Sequence, residues 1–483
     1  MIFNSIIFAI FLPTVFFLYW YVFNKNIRLQ NFFLLVVSYI FYGWWDWRFL
    51  SLLFFSSMVD YTVGLLLQKK EKQFHRNLLL GISLIANLGL LGFFKYYNFF
   101  VDSFIEAGAQ VGITFHKSSL NIILPVGISF YTFQTLSYTI DVYRRQISTT
   151  KDLISFLAFV SFFPQLVAGP IERASNLLPQ FERIRVFNNA KAKDGLRQIL
   201  WGLIKKVVIA DTIAIQVDLI FNAQSYATTP GITLLIGAIL FVFQIYCDFS
   251  GYSDIGIGTA RLFGFDLMRN FAFPFFSRNI GEFWQRWHIS LSTWFRDYVF
   301  IPLGGSKVSK LKQIRNIFFT FILSGFWHGA NWTYVFWGFL HALYYLPLLL
   351  TKGKGKYTEI VAANRHLPTL TEFFQIVLTF SMFVFSMIFF RSDNFGRALS
   401  FLFYLVRNIL LTPEVLLTWL QSISMILVFL LIIVEWIQRK KQHILQIETI
   451  PVYYRWTIYI VSFTVFVYLG QFNSNQQFIY FQF

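Results

Sequence analysis

Residues 282–305 read EFWQRWHISLSTWFRDYVFIPLGG, and after a basic loop residues 316–338 read NIFFTFILSGFWHGANWTYVFWG. Each stretch carries one histidine, His288 and His328, directly after a tryptophan, Trp287 and Trp327. The surroundings are aromatic and mostly apolar. An ionisable side chain is costly in hydrocarbon, so one inside a membrane segment is a functional candidate. Imidazole is also the side chain best suited to moving a proton near neutral pH. The rest of the chain reads as a membrane body built around these two rings.

Composition supports that reading. The 483 residues are 56% hydrophobic and 21% aromatic, with a mean hydropathy of +0.57. Charged residues make up 13%, against about 25% in soluble proteins. The expected class is therefore an all-α, polytopic integral membrane protein. No polar stretch is long enough to fold alone, so residues 1–483 are expected to form one transmembrane domain. The 63 Phe can fill a bundle or line an acyl path; host codon usage is the blander explanation. The net charge of +17 sits in short loops between apolar runs, as the positive-inside rule requires. Nucleic-acid binding is excluded, because no basic face is interleaved with exposed aromatics. The single cysteine, Cys247, permits neither an internal disulfide nor a cysteine metal cluster, and reads as a small buried hydrophobe.

Topology follows from the basic loops. Residues 1–23 read as a retained span rather than a cleaved signal. KKEKQFHR at 69–76 is placed in the cytoplasm, which puts the N-terminus outside. Residues 31–67 form a hairpin split by the aromatic belt YGWWDWR, 77–100 span outward, and 102–118 form an external loop. The span 122–145 carries Pro125 and Gly127, as interrupted helices lining a cavity often do. Residues 153–170 read as a re-entrant segment or broken hairpin. The basic stretch Arg183 to Lys206 is expected to lie along the inner surface, followed by spans at 207–222 and 231–249. Residues 261–315, rich in Arg and Lys, read as cytoplasmic. As one helix, 316–350 would be roughly 52 Å at 1.5 Å per residue, too long for a ~30 Å core. Two shorter helices broken at GFWHGANW fit better. Runs at 373–390, 397–411, 418–437 and 455–471 bring the count to roughly 11 to 13 segments; strict alternation does not close around 397–411, so one of these runs is expected to be interfacial.

For His328, packing glue bonded to a neighbouring carbonyl is the bland alternative. Against it, Gly325, Gly329 and Asn331 leave room for a close approach. His288 alone is weaker, since Arg286, Trp287 and Arg296 suggest an interface. Two histidines without nearby cysteines do not make a zinc pattern, so no metal is expected. A serine nucleophile would want G-x-S-x-G, which is absent, and KGKGK (352–356) is not a phosphate loop. Asp248 and Asp254, in DFSGYSDIGIG (248–258), can orient a histidine or bind a substrate amine or hydroxyl; helix capping is the equal alternative. The Arg-rich loop 261–315 can bind a phosphorylated donor, with plain positive-inside topology as the blander account. Arg391 and Asp393 look like an external pair without an assigned role.

RWHISLSTWFRDYVFIPLGG, SGFWHGANWTYVFWGFLH and DFSGYSDIGIG resemble the bacterial membrane-bound O-acyltransferases. The likeness is closest to the alginate O-acetylation branch, with the D-alanyl-lipoteichoic acid transferases more distant. FxxFLPxVFxLYW near the start, FPQLVAGPIER (163–173) and FIYFQF (478–483) match as well, so the resemblance runs over nearly the whole chain. It implies a ring of tilted helices around a central tunnel, in a bacterial inner membrane. His328, in W-H-G, would be the invariant catalytic histidine and His288 the second catalytic position. The candidate substrate-binding set is Asp248, Asp254, Trp287, Trp327, Asn331 and Arg296. The resemblance also implies acetyl-CoA as cytoplasmic donor, with no bound cofactor. It implies an extracytoplasmic polysaccharide acceptor and an external SGNH or serine-hydrolase-like partner. Teichoic acid or peptidoglycan is the alternative acceptor. A transporter or polysaccharide-export channel is the rival from another class, since discontinuous helices and buried polar groups suit it too.

Overall fold

The computed structural model describes residues 1–115, 120, 122–167, 169–351, 357–410, 418–419, 422–472 and 478–479. KGKGK (352–356) and most of FIYFQF therefore lie outside the described residues. Among the described residues all regular structure is helical. Among the described residues six helices are long and apolar enough to cross a membrane: Trp47–Lys69, Gln73–Gln110, Gly231–Leu262, Trp332–Leu350, Leu370–Arg391 and Val452–Leu469. Shorter apolar helices cover Ile6–Val22, Ile27–Gly43, Leu153–Leu166 and Ile423–Ile437. The protein is a polytopic, all-helical membrane protein.

The chain divides into two compact units, one of residues 1–195 with 256–268, the other of residues 196–255 with 269–483. In the first, α1 (Ile6–Phe17), α2 (Ile27–Gly43), α3 (Leu50–Lys69), α4 (Gln73–Leu91), α5 (Tyr97–Gln110), α6 (Ile128–Tyr143), α7 (Leu153–Ser161), α8 (Phe163–Leu166) and α9 (Ala174–Phe181) follow in order. Side-chain caps start several of them: Ser5 accepts from the Phe8 amide, Asn26 from Arg28 and Asp152 from Ile154, satisfying donors that a helix end leaves open. A polar knot ties α3, α4 and α6 together. The fully buried Asp60 carboxylate accepts from Ser83, from Asn87 at 2.8 Å and from Thr139 at 2.8 Å. Arg76 closes the end of this layer on the carbonyls of Leu67 and Tyr143.

One expectation changes here and one holds. Residues 102–110 are not a loop: Asp102 and Glu106 sit one turn apart on α5, which continues the preceding helix to Gln110. Residues 153–170 do break, between α7 and α8 at Phe162.

Two helices belong partly to each unit: α10 (Asn189–Leu203) and α12 (Gly231–Leu262). The second unit continues with α11 (Asp211–Phe221), α13 (Ile280–Arg286), α14 (Ile289–Phe295), α15 (Lys310–His328), α16 (Trp332–Leu350), α17 (Leu370–Arg391), α18 (Phe395–Arg407), α19 (Ile423–Ile437) and α20 (Val452–Leu469). The expected break within 316–350 is present. α15 stops at His328, and α16 begins beyond Asn331, whose side chain caps the Thr333 amide. The two helices then pack back to back through glycine. A Cβ on Gly325 would lie 2.2 Å from the Tyr334 carbonyl oxygen, and one on Gly338 2.3 Å from that of Phe321.

The stretch Arg183 to Lys206 does not stay on a surface as expected. Its end passes into a π-helical turn, Ile204–Ala210, where Lys205 and Lys206 are both buried. Lys206 Nζ bonds Asp211 at 2.8 Å and Asp248 at 2.7 Å. Lys205 Nζ bonds Asp254 at 2.6 Å and the Ser250 hydroxyl at 2.8 Å. The lysines read as surface charges in the sequence because Asp248 and Asp254 lie far along the chain on α12, although Asp211 is five residues from Lys206.

Candidate active site

α13 and α14 form a helical corner, and His288 is its hinge. Its backbone is left-handed, with φ +43°, which is strained for a residue bearing a Cβ. The turn is held from outside. The Asn270 carbonyl accepts from the Ile289 amide at 2.9 Å, and the Ala272 amide bonds the Arg286 carbonyl at 2.9 Å. Inside α13, the Glu282 carboxylate gathers Arg278 at 3.1 Å and Arg286 at 2.9 Å. The corner is thus clamped at both ends.

The His288 ring is fully buried. Phe249 of α12 meets it edge-on, with centroids 4.6 Å apart, and Phe271 stacks at 6.3 Å. Its Nδ1 lies 3.1 Å from Asn270 Oδ1. That same oxygen accepts from the Ser290 amide at 3.3 Å and the Ser290 hydroxyl at 3.0 Å, while Asn270 Nδ2 donates to Ser253 Oγ at 3.2 Å.

His328 ends α15 and is 4% exposed. It packs against Trp327 at 5.0 Å, Trp337 at 5.1 Å and Phe390 of α17 at 5.4 Å. Trp327 in turn lies 6.2 Å from the His288 ring. Both imidazoles therefore belong to one aromatic cluster, with Trp327 between them. Gly329 lets the Tyr334 ring close down on one side of it: a Cβ there would lie 2.2 Å from that ring.

The other predicted site residues divide sharply. Trp287 is buried and stacks on Phe283 at 5.6 Å, so it is core. Asn331 caps α16 and donates to the Asp393 carbonyl at 2.7 Å, which occupies its amide in tying helix ends together. Arg296 is exposed and pairs with its neighbour Asp297 at 2.7 Å. Asp248 and Asp254 do not orient either histidine. Asp248 takes Lys206 and the Ile479 amide at 2.7 Å; Asp254 takes Lys205 and the Gln198 amide at 2.7 Å. Arg391 bonds Asp218 at 2.9 Å rather than Asp393. Among the described residues no group of three or more His, Cys, Asp or Glu is placed to hold a metal.

Two residues escaped the sequence reading. Asn270 takes the place beside His288 that the aspartates were candidates for. His341 of α16 is fully buried, 4.6 Å from Trp337 and 5.1 Å from Trp284, with Nε2 3.1 Å from Ser386 Oγ. The same membrane-segment argument that singled out His328 applies to it.

Two imidazoles in a low-dielectric aromatic cluster of a membrane body can move a proton between bound groups without solvent competition. That chemistry agrees with the sequence comparison. Residues 39–390 match the membrane-bound O-acyltransferase family, MBOAT, and the chain belongs to that family of acyltransferases. It is 42% identical over 398 residues to a probable alginate O-acetylase AlgI of Pseudomonas syringae, covering 82% of this chain and 73% of the relative. It is 34% identical over 431 residues to a peptidoglycan O-acetyltransferase of Helicobacter pylori, covering 83% and 79%. A teichoic acid D-alanyltransferase of Bacillus subtilis is 29% identical over 294 residues, covering 58% and 72%.

Proposed function

We propose that this protein passes an acetyl group from acetyl-CoA, on the cytoplasmic side of a bacterial inner membrane, toward an extracytoplasmic polysaccharide of the alginate kind. A tunnel through the helices would join the two sides, and the N-terminus would lie outside. An external serine-hydrolase-like partner of the SGNH type would carry the group onward to the polymer. The observation that carries this reading is the pair His288 and His328, joined through Trp327 in one buried cluster. The 42% identity to an alginate O-acetylase supports the acceptor class. The peptidoglycan relative keeps a second acceptor class open to the same test.

In the reaction the acceptor hydroxyl attacks the thioester carbonyl carbon. A C–O bond forms, the C–S bond breaks, and the hydroxyl proton ends on the leaving sulfur. His328 acts as base on the attacking hydroxyl. His288 either holds the thioester carbonyl or shares the proton.

The test uses purified protein in nanodiscs, given acetyl-CoA and assayed for free CoA and for acetylated acceptor or partner. The expected result is CoA release that depends on His328 and is abolished in His328→Ala. Wild-type acetylation by His328→Ala would overturn the reading. Movement of substrate without thioester cleavage would favour a transporter.

A further inference from the structure

Asn270 Oδ1 at 3.1 Å and, more distantly, the Ser290 hydroxyl at 3.5 Å face His288 Nδ1, and the Asn270 contact bears on which nitrogen of His288 carries the proton. The orientation of Asn270 is fixed by a group that cannot change role. The Ser290 backbone amide can only donate, and it faces Asn270 at 3.3 Å. The Asn270 atom it faces is therefore the carbonyl oxygen, and the amide nitrogen is the one directed at Ser253 Oγ. His288 Nδ1, 3.1 Å from that same oxygen, must then carry the hydrogen, because two acceptors would not share the contact. In the neutral ring this leaves the lone pair on Nε2.

We infer that Asn270 is a positioning residue that holds His288 as its Nδ1–H tautomer, so that His288 works in acyl transfer as a proton acceptor at Nε2 and not as a donor to the thioester carbonyl. The inference rests on the acyltransfer reading and decides between the two roles that reading allowed. When the ring takes up the proton, the Asn270 carbonyl stabilises the charge through the Nδ1–H bond. A neighbour that fixes tautomer and ring orientation is a recurring device around functional imidazoles. The support is layered. Asn270 is itself fully buried, its backbone carbonyl holds Ile289, and Ser253 on α12 holds its amide. The motif DFSGYSDIGIG thereby contributes to the site through Ser253 and Phe249, not through its aspartates.

The tautomer is read directly by solid-state NMR of protein labelled with 15N-histidine, with the His288 signals assigned by their absence in His288→Asn. The expected wild-type pattern has the proton on Nδ1; a proton on Nε2 overturns the inference without any activity measurement. In the nanodisc assay, Asn270→Ala is expected to lower kcat at least tenfold. Its KM should stay within about twofold. Asn270→Asp, which still accepts from Nδ1–H, should recover kcat to within about threefold of wild type. Equal losses in Asn270→Ala and Asn270→Asp, in folded protein, would also overturn it. Should Asn270→Ala not fold, Ser253→Ala weakens the same support more gently and is expected to mix the two tautomers. If the wild-type protein releases no CoA at all, the acyltransfer reading fails while the tautomer measurement still stands.

Discussion

Lys206 and Asp248 form an ion pair of 2.7 Å in which both side chains are almost wholly buried, at 1% and 4% exposure. Asp211 shares the same ammonium. Removing one partner of a buried pair leaves an uncompensated charge, which costs about 3–5 kcal/mol. Lys206→Met strands two carboxylates, so it is expected to lower the thermal midpoint and the yield of folded protein sharply. The double variant Lys206→Met/Asp248→Asn should recover part of that loss. Detergent-based thermal unfolding of the three proteins checks this. A fully stable Lys206→Met with raised KM would instead return Asp248 to a substrate-binding role.

Gly325 and Gly338 set how closely α15 and α16 approach. Close backbone contact between membrane helices depends on small residues at the crossing. A methyl at 325 would lie 2.2 Å from a backbone oxygen, which cannot rotate away. Gly325→Ala is expected to cost about 1–3 kcal/mol. Since α15 ends at His328, it should also reduce activity in the fraction that folds. The comparison is CoA release per folded molecule, measured beside thermal unfolding.

Trp327 is the ring shared by both histidines. Trp327→Ala would leave a cavity worth about 3–5 kcal/mol and free both imidazoles to reorient. Trp327→Phe keeps an aromatic face and is expected to retain most activity. If both variants kept wild-type turnover, the shared ring would have no part in aligning the pair.

Asp60 binds α3, α4 and α6 and touches neither histidine. Asp60→Leu leaves the donors of Ser83, Asn87 and Thr139 without their acceptor, at about 1–3 kcal/mol for each stranded group. Asp60→Asn keeps one acceptor oxygen and should be milder. Both are expected to change stability while leaving turnover per folded molecule unchanged.

Arg296 tests the opposite limit. Its pairing with Asp297 is exposed, and such pairs contribute about 0–1 kcal/mol. Arg296→Ala is expected to leave both stability and acetyl transfer near wild type. A large rise in the KM for acetyl-CoA would show that the guanidinium contacts the donor after all.

Much of this was legible in the chain. Length and hydropathy announced a membrane body, and the break at GFWHGANW followed from a helix too long for the bilayer with glycines and Asn331 at its middle. The two histidines stood out because imidazole in apolar aromatic sequence is rare. What stayed hidden were partners brought in from a distance. Lys205 and Lys206 read as surface charges because nothing local hints that Asp254 and Asp248 will meet them across two helices. Asn270 was passed over for the same reason: an asparagine in MRNFAFPFF carries no pattern, and its importance comes from a corner that places it against His288. The α5 segment looked like a loop because Asp102, Glu106 and Gly108 lowered its hydropathy, though the two acids are spaced for a single helix face.

The left-handed backbone at position 288 governs how that residue should be probed. Alanine scanning at this corner confounds chemistry with conformation, since a Cβ side chain without hydrogen-bonding capacity gains nothing there in return for the torsion. Asparagine tolerates the same region of backbone space. It is therefore the cleaner probe, and a β-branched residue such as valine would report folding rather than catalysis.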